Sequence, residues 1–286
     1  MHPWSPAAIS AAVLLLLPVV ALAFAGGWFV RLINRLPLIA RLALPALGAV
    51  PYFLATYSTP YFRWSFALDY AAVPVALVLL LWHAARNDPE QRGDWRDFAV
   101  LAVLGVVVEF HWLEPIWPAH LRSLNRLLLL DTGLYGFLVV RQLTGVGFNF
   151  WPRLRDVKIG LRELCFYAPI AIPLGLGLGF LHWHALLPSL GKFLRSWITI
   201  FAFVAILEET YFRGWLQNLL ERRIGRTGSL IATAVLFGLS HFNWRYVLLA
   251  ALAGIFYGRA WREERRLVAS CITHASVDTI WLIWFR

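Results

Sequence analysis

Long apolar runs recur along the chain, and short polar segments separate them. Each run has roughly 15–25 residues, and an apolar helix of about 20 residues spans a bilayer, whereas a membrane barrel strand has about ten residues of alternating hydrophobicity. Hydrophobic residues make up 60% of the chain and charged residues 15%, far from the soluble averages of about 45–50% and 25%. The sequence therefore predicts an all-α polytopic membrane protein.

Charged residues, proline and glycine mark the ends of about ten candidate transmembrane helices. Loops one, three, five, seven and nine carry most of the arginine and lysine, so we predict that these loops are cytoplasmic and that both termini lie outside. The predicted spans are 7–30, 37–57, 65–84, 98–112, 125–142, 163–182, 196–220, 229–243, 245–260 and 267–285.

The longest basic and aromatic segment, 146–162, is interpreted as a cytoplasmic loop between two membrane regions. The N-terminal region, 1–145, would hold about five spans, and its sequence indicates no role. The C-terminal region, 163–286, would hold the other five as a catalytic helix bundle. The net charge of +10 does not indicate nucleic acid binding, because the basic residues are spread over the loops instead of forming one patch.

Charged residues inside an apolar run are the main functional signal. Glu208, Glu209 and Arg213 lie within the predicted span 196–220, where an ionised side chain near the bilayer centre costs at least about 2.5 kcal/mol. Glu209 and Arg213 are four residues apart and share a helix face, so we expect an ion pair. Glu208 points about 100° away and is free to act as a general base. A single buried ion network that joins helices is the alternative interpretation.

Two histidines lie in neighbouring apolar runs. His241 follows Phe237 by four residues, and Asp278 follows His274 by four, so each pair shares a helix face. A lone histidine in a span more often joins helices through a hydrogen bond than acts in catalysis. Two histidines together with a double glutamate instead favour a buried hydrolytic site.

These residues carry a family resemblance. The segments E-E-T-Y-F-R (Glu208 to Arg213), F-G-L-S-H (Phe237 to His241) and H-A-S-V-D (His274 to Asp278) resemble the motifs E-E-x-x-x-R, F-x-x-x-H and H-x-x-x-N/D. Those motifs belong to the CAAX protease and bacteriocin-processing family. Order and spacing also match, and the resemblance covers about 196–286.

The resemblance implies a glutamic-type intramembrane endopeptidase that cleaves a membrane-associated or exported protein. Glu208 and His241 would activate a water molecule, and His274 and Asp278 would stand where the family stabilises the oxyanion. Glu209, Arg213 and Phe237 would order the site. The resemblance also implies a bacterial inner (plasma) membrane location. The bilayer and a protein or peptide substrate are the expected partners, and the sequence indicates no oligomeric state.

Asp278 departs from the Asn of the eukaryotic prenyl-protein processing pattern. An ionised aspartate cannot donate a hydrogen bond to an oxyanion. Either Asp278 is kept protonated by burial, or it orients and charges His274 so that the imidazole alone donates. We favour the second interpretation, by analogy with histidines that a carboxylate orients.

Three alternatives stay open at this stage. Zinc held by Glu208, His241 and His274 would activate water by lowering its pKa, although the H-E-x-x-H motif is absent and the resemblance implies no cofactor. A proton-coupled transporter could use the same buried acids and histidines as a relay. A catalytically idle membrane scaffold could retain the motifs without the activity.

Overall fold

A computed structural model describes residues 5–184 and 187–285, and within them the chain is all-helical, with one isolated β-bridge between Trp183 and Phe285. We number the main helices α1 to α9 in chain order. They are α1 (Pro6–Ile33), α2 (Leu38–Thr56), α3 (Trp64–Asn87), α4 (Trp95–Glu109), α5 (Ala119–Val140), α6 (Leu154–Gly177), α7 (Leu190–Leu239), α8 (Trp244–Glu264) and α9 (Leu267–Trp284).

Over the residues that the structure describes, seven helices are long and apolar enough to cross a membrane, which indicates an integral membrane protein. The seven are α1, α2, α3, α5, α6, α7 and α9. The predicted count of about ten is not confirmed. Helix α4 has only 15 residues, α8 is not among the seven, and the single helix α7 contains two of the predicted spans, 196–220 and 229–243.

Helix α7 has 50 residues, which at 1.5 Å per residue would extend about 75 Å, more than twice the hydrocarbon core. Gly225 breaks it, with a φ of 72° in the left-handed region that favours glycine. We call 190–224 the first arm and 226–239 the second arm.

Both arms of α7 contact α8 at one glycine. A Cβ on Gly258 would lie 2.5 Å from Gln217 of the first arm and 2.5 Å from Leu230 of the second. One turn earlier, a Cβ on Gly254 would lie 2.9 Å from the Cα of Ala234. The G-x-x-x-G spacing therefore allows the helix backbones to approach closely, as small residues do in membrane bundles.

The chain divides into two compact units, Met1–Thr144 and Gly145–Arg286. The segment predicted as a loop over 146–162 is only partly irregular, because α6 begins at Leu154. Three of its four basic residues lie on the first turns of that helix, and Arg266 donates to Asp156 there at 3.0 Å. Charge at a helix end resembles a loop in sequence, which is why the predicted span started nine residues later.

In the N-terminal unit, Arg141 joins the ends of three helices. Its Nε donates to Asp97 Oδ1 at 2.9 Å, and its Nη2 donates to Asp88 Oδ2 at 2.7 Å. Burial alone would raise the pKa of Asp88, but hydrogen bonds from the Arg92 and Gly93 backbone and the Arg141 charge outweigh it and lower that pKa. Asp97 is fully buried, so Arg141 is the counter-ion of a carboxylate that has no access to water.

We predict that Arg141→Leu destabilises the protein strongly, by about 3–5 kcal/mol, because it leaves the Asp97 carboxylate buried without its counter-ion. Arg92→Leu is the matched control. The Arg92 side chain is 75% exposed and pairs with Glu90, and such a surface pair contributes only about 0–1 kcal/mol. Equal unfolding midpoints for the two purified variants would contradict the prediction.

Candidate active site

Four helical segments of the C-terminal unit supply the candidate residues. The first arm of α7 carries Glu208, Glu209 and Arg213, and two stretches of this arm, Phe201–Ala205 and Thr210–Gln217, are π-helical. Such wider turns are frequent at functional sites. Phe237 lies in the last turn of the second arm, and His241 lies two residues beyond its end. Gly254 and Tyr257 lie on α8, and Ser270, His274 and Asp278 lie on α9.

The Glu209 carboxylate is the centre of the site. It is fully buried. Its Oε1 accepts hydrogen bonds from Arg213 Nη1 at 3.1 Å and from His274 Nδ1 at 2.7 Å, and its Oε2 accepts one from the Ser270 hydroxyl. Three donors from two helices thus form hydrogen bonds with one carboxylate. A buried charge needs such hydrogen bonds in place of its hydration.

The expected ion pair between Glu209 and Arg213 is present, and Arg213 extends it to two more elements. Its Nη2 donates to the Gly254 carbonyl of α8 at 3.1 Å. The guanidinium also lies over the rings of Phe237, at 4.5 Å, and Tyr257, at 5.2 Å, which are favourable cation–π distances. Arg213 is fully buried, so these contacts replace the hydration of its two terminal nitrogens, whereas its Nε has no hydrogen-bond partner among the described residues.

The His274 ring is held on every side. Its Nδ1 donates to Glu209, and its Nε2 lies 3.4 Å from Asp278 Oδ2 and 3.8 Å from Glu208 Oε2. The Tyr257 ring stacks flat against it, with centroids 4.7 Å apart and an interplanar angle of 15°. Phe237 approaches edge-on, at 5.9 Å. The imidazole therefore presents one fixed nitrogen, Nε2, to the other carboxylates.

The two adjacent glutamates have different surroundings, as their spacing on a helix predicts. Glu209 is fully buried, whereas the Glu208 side chain is 37% exposed and the Asp278 side chain 40%. Among the described residues, Glu208 has one ion-pair partner, His274, through its Nε2. This distance of 3.8 Å is longer than a hydrogen bond and is compatible with a bridging water.

His241 follows the last turn of the second arm and is exposed. Its Nδ1 lies 2.9 Å from the Phe237 carbonyl oxygen. A carbonyl only accepts, so Nδ1 carries the proton and the lone pair of Nε2 is available. Among the described side chains, no hydrogen bond or ion pair joins His241 directly to Glu208, so the two predicted water-activating groups do not touch each other.

A cavity of about 450 Å³ opens beside these residues, within the range of about 300–1,000 Å³ that is usual for ligand sites. Its lining includes the ionisable or polar side chains of His241, His274, Asp278 and three tyrosines, and the rest is aliphatic and aromatic. The tyrosines are Tyr167, Tyr246 and Tyr257. Glu208 is not a lining residue, but its carboxylate lies next to the His274 imidazole, which is. The cavity therefore combines a largely apolar wall with candidate acid–base groups at one edge.

In the part of the chain that the structure describes, no three His, Cys, Asp or Glu side chains form a group that could hold a metal ion. Glu208, His241 and His274, the ligands of the zinc alternative, therefore do not form such a set.

Sequence reasoning missed three contacts. It did not predict that Glu209 would bind His274, because a partner on another helix leaves no spacing signal. Ser270 could have been found, since it lies four residues before His274 and shares its face of α9. Tyr257 has no motif signal, because only tertiary packing stacks its ring on the imidazole.

Residues 190–280 match a family model described as Rce1-like, type II CAAX prenyl endopeptidase. This match confirms the resemblance over a segment of about a third of the chain, which includes every predicted site residue. Comparison with curated proteins and with solved structures gives no significant match.

We predict that the two glutamates differ in their contribution to stability. Glu209→Gln should destabilise the protein by about 3–5 kcal/mol, because it leaves the buried Arg213 charge without its counter-ion. Glu208→Gln should change stability by less than about 0.5 kcal/mol, since Glu208 makes no hydrogen bond within the described residues. Thermal unfolding of both purified variants beside wild type measures the difference. Equal midpoints would contradict it.

Proposed function

We propose that this chain is an intramembrane endopeptidase of the CAAX-processing type. Residues 190–280, which match the Rce1-like family model, contain all the groups of the mechanism below. The observation that carries the proposal is the fixed His274 ring. Glu209 holds its Nδ1, while its Nε2 faces Glu208 and Asp278 at the edge of a peptide-sized cavity. In the proposal, these residues form an acid–base site in which His274 Nε2 faces the substrate carbonyl group.

Glu208 is proposed as the general base. It takes a proton from a water molecule that the Nε2 lone pair of His241 also holds, and the water oxygen bonds to the scissile carbonyl carbon. When the tetrahedral intermediate collapses, the C–N bond breaks, and Glu208 returns the proton to the leaving amine nitrogen. The products are a new carboxyl terminus and a new amino terminus. Glu208 acts first as base and then as acid, as one positioned carboxylate can.

His274 is proposed to stabilise the oxyanion that forms on the carbonyl oxygen. Its Nδ1 proton is bound to Glu209, so the donor to the oxyanion is the Nε2–H of a doubly protonated ring. Glu209 at one nitrogen and Asp278 near the other balance the charge of that ring. Donors aimed at developing charge in a water-poor site are usually the largest catalytic term.

Tyr257 is proposed as the second oxyanion donor. Its phenol lines the cavity, its ring lies against His274, and its hydroxyl makes no hydrogen bond to any residue that the structure describes. A phenol can donate where the Asp278 carboxylate cannot. Asp278 then positions and charges His274, as the sequence interpretation favoured.

The finer membrane arrangement belongs to the same proposal. Helices α4 and α8 and the second arm of α7 would supply three spans beyond the seven candidates, which gives ten in all. The odd loops would be cytoplasmic and the termini outside, in a bacterial inner membrane. The substrate would be a membrane-associated or exported protein, and the reaction would need no metal or other cofactor.

The first test compares cells that express wild type, Glu208→Gln or His241→Ala. Mass spectrometry of membrane and secreted proteins records the termini of every detected protein. We expect one defined set of proteins to remain unprocessed in both variants. Glu90→Gln, which changes an exposed glutamate of the N-terminal unit, is the matched control and should process normally. Unchanged termini in both variants, at normal abundance and fold, would contradict proteolysis and favour transport or a scaffold role.

The second prediction uses a substrate found in that comparison. Tyr257→Phe should lower kcat by about a hundred-fold with little change in KM, as expected for the loss of one oxyanion donor. Tyr167→Phe is the control, because Tyr167 lines the same cavity but donates to the Leu249 carbonyl at 3.4 Å. A Tyr257→Phe variant that is as active as Tyr167→Phe would show that the phenol does not act on the oxyanion.

A further inference from the structure

A second depression, of about 340 Å³, lies in the C-terminal unit and shares no lining residue with the candidate active site. Six charged residues line it, and we call it the basic depression. They come from three places along the chain: the first half of α6, the break in α7 and the end of α8. The six are Arg162, Glu163, Arg226, Arg259, Arg262 and Glu263.

The carboxylates of the basic depression do not neutralise its arginines. Four guanidinium groups face two carboxylates, which leaves an excess of two positive charges. Glu163 is shared by Arg162, at 2.7 Å, and Arg259, at 2.9 Å. Glu263 also pairs with Arg162. The ion pairs of the two carboxylates within the depression therefore involve Arg162 and Arg259, and leave Arg226 and Arg262 without a carboxylate partner inside it.

The other two arginines are less well satisfied. Arg226 is 72% exposed, and its carboxylate neighbour is Glu221 outside the depression, at 3.4 Å. Arg262 donates to the Arg226 carbonyl, but it has no carboxylate partner among the described residues, and its buried Nε has no hydrogen-bond acceptor there. A buried donor without an acceptor is rare in folded proteins. A bound anion would supply that acceptor.

We propose that the basic depression binds the phosphate group of an anionic phospholipid. Phosphate oxygens match the planar fork of arginine, which forms two parallel hydrogen bonds with them. The three contributing segments belong to predicted loops five, seven and nine or their flanks, all of which are predicted to be cytoplasmic. Basic pockets between membrane helices on that side are suited to anionic head groups.

Apolar surface next to the arginines favours a lipid over free phosphate. The Arg259 guanidinium lies 5.6 Å from the Phe256 ring and 5.9 Å from the Phe166 ring. Phe166 lies one turn beyond Arg162 on α6 and is about half exposed. An acyl chain could lie along this exposed ring while its phosphate stays among the arginines. A lipid held in this way would join α6, α7 and α8.

The test titrates the purified full-length protein with dioleoylphosphatidylglycerol, dioleoylphosphatidylcholine or inorganic phosphate and measures binding by native mass spectrometry and the thermal midpoint. We expect saturable binding and a raised midpoint with phosphatidylglycerol only. Arg262→Gln should weaken that binding about five-fold, and Arg226→Gln combined with Arg262→Gln about 25-fold, at about 1 kcal/mol for each arginine. Arg262→Lys, which keeps the charge but loses the fork, should bind between wild type and Arg262→Gln.

The control variant, Lys192→Gln with Arg195→Gln, removes two exposed charges on the first arm of α7 outside the depression and should bind like wild type. Equal binding of the two lipids, or equal loss in the control and the arginine variants, would overturn the proposal. A full shift with inorganic phosphate and no further gain with lipid would overturn the choice of a lipid and keep the phosphate site. Arg226 is exposed, so Arg226→Gln alone tests the site if Arg262 variants do not fold.

Discussion

The buried carboxylate of Glu209 is the interaction on which the rest of the site depends. It binds Arg213 on its own helix and Ser270 and His274 on α9, and Arg213 continues the connection to the backbone of α8. A charge with no access to water stays buried only when such partners surround it. The requirement to satisfy Glu209 therefore fixes both the relative position of these helices and the orientation of the His274 ring.

In the proposed mechanism, two neighbouring glutamates have different roles: Glu209 positions other groups, and Glu208 transfers a proton. Glu209 is inaccessible and fully bonded, so it can position groups but cannot exchange protons with a substrate. Glu208, one residue earlier, is partly exposed, lies next to His274 Nε2, and makes no hydrogen bond within the described residues. Phe237 contacts residues of both kinds. Its ring lies against the Arg213 guanidinium, and it also contacts the His241 and His274 rings. Loss of this ring would therefore affect the packing of Arg213 and the positions of both histidines.

Contacts within one helix were predictable from the sequence, and contacts between helices were not. Spacings of four residues predicted the Glu209–Arg213 pair and placed Asp278 beside His274. The same reasoning separated the spans 196–220 and 229–243, and the break in α7 at Gly225 lies between them, but hydropathy could not assign the break to one residue. It could not predict that Glu208 would lie 3.8 Å from His274 Nε2, because helix packing determines that distance.

The most direct test of the central claim is peptide-bond hydrolysis by the purified protein. Wild type and Glu208→Gln would be reconstituted into liposomes and mixed with membrane proteins extracted from cells that lack this chain. The account predicts that new amino termini accumulate at defined sites with wild type and not with Glu208→Gln. Equal cleavage by both proteins, or no cleavage by a folded wild type that transports a solute in the same liposomes, would contradict it.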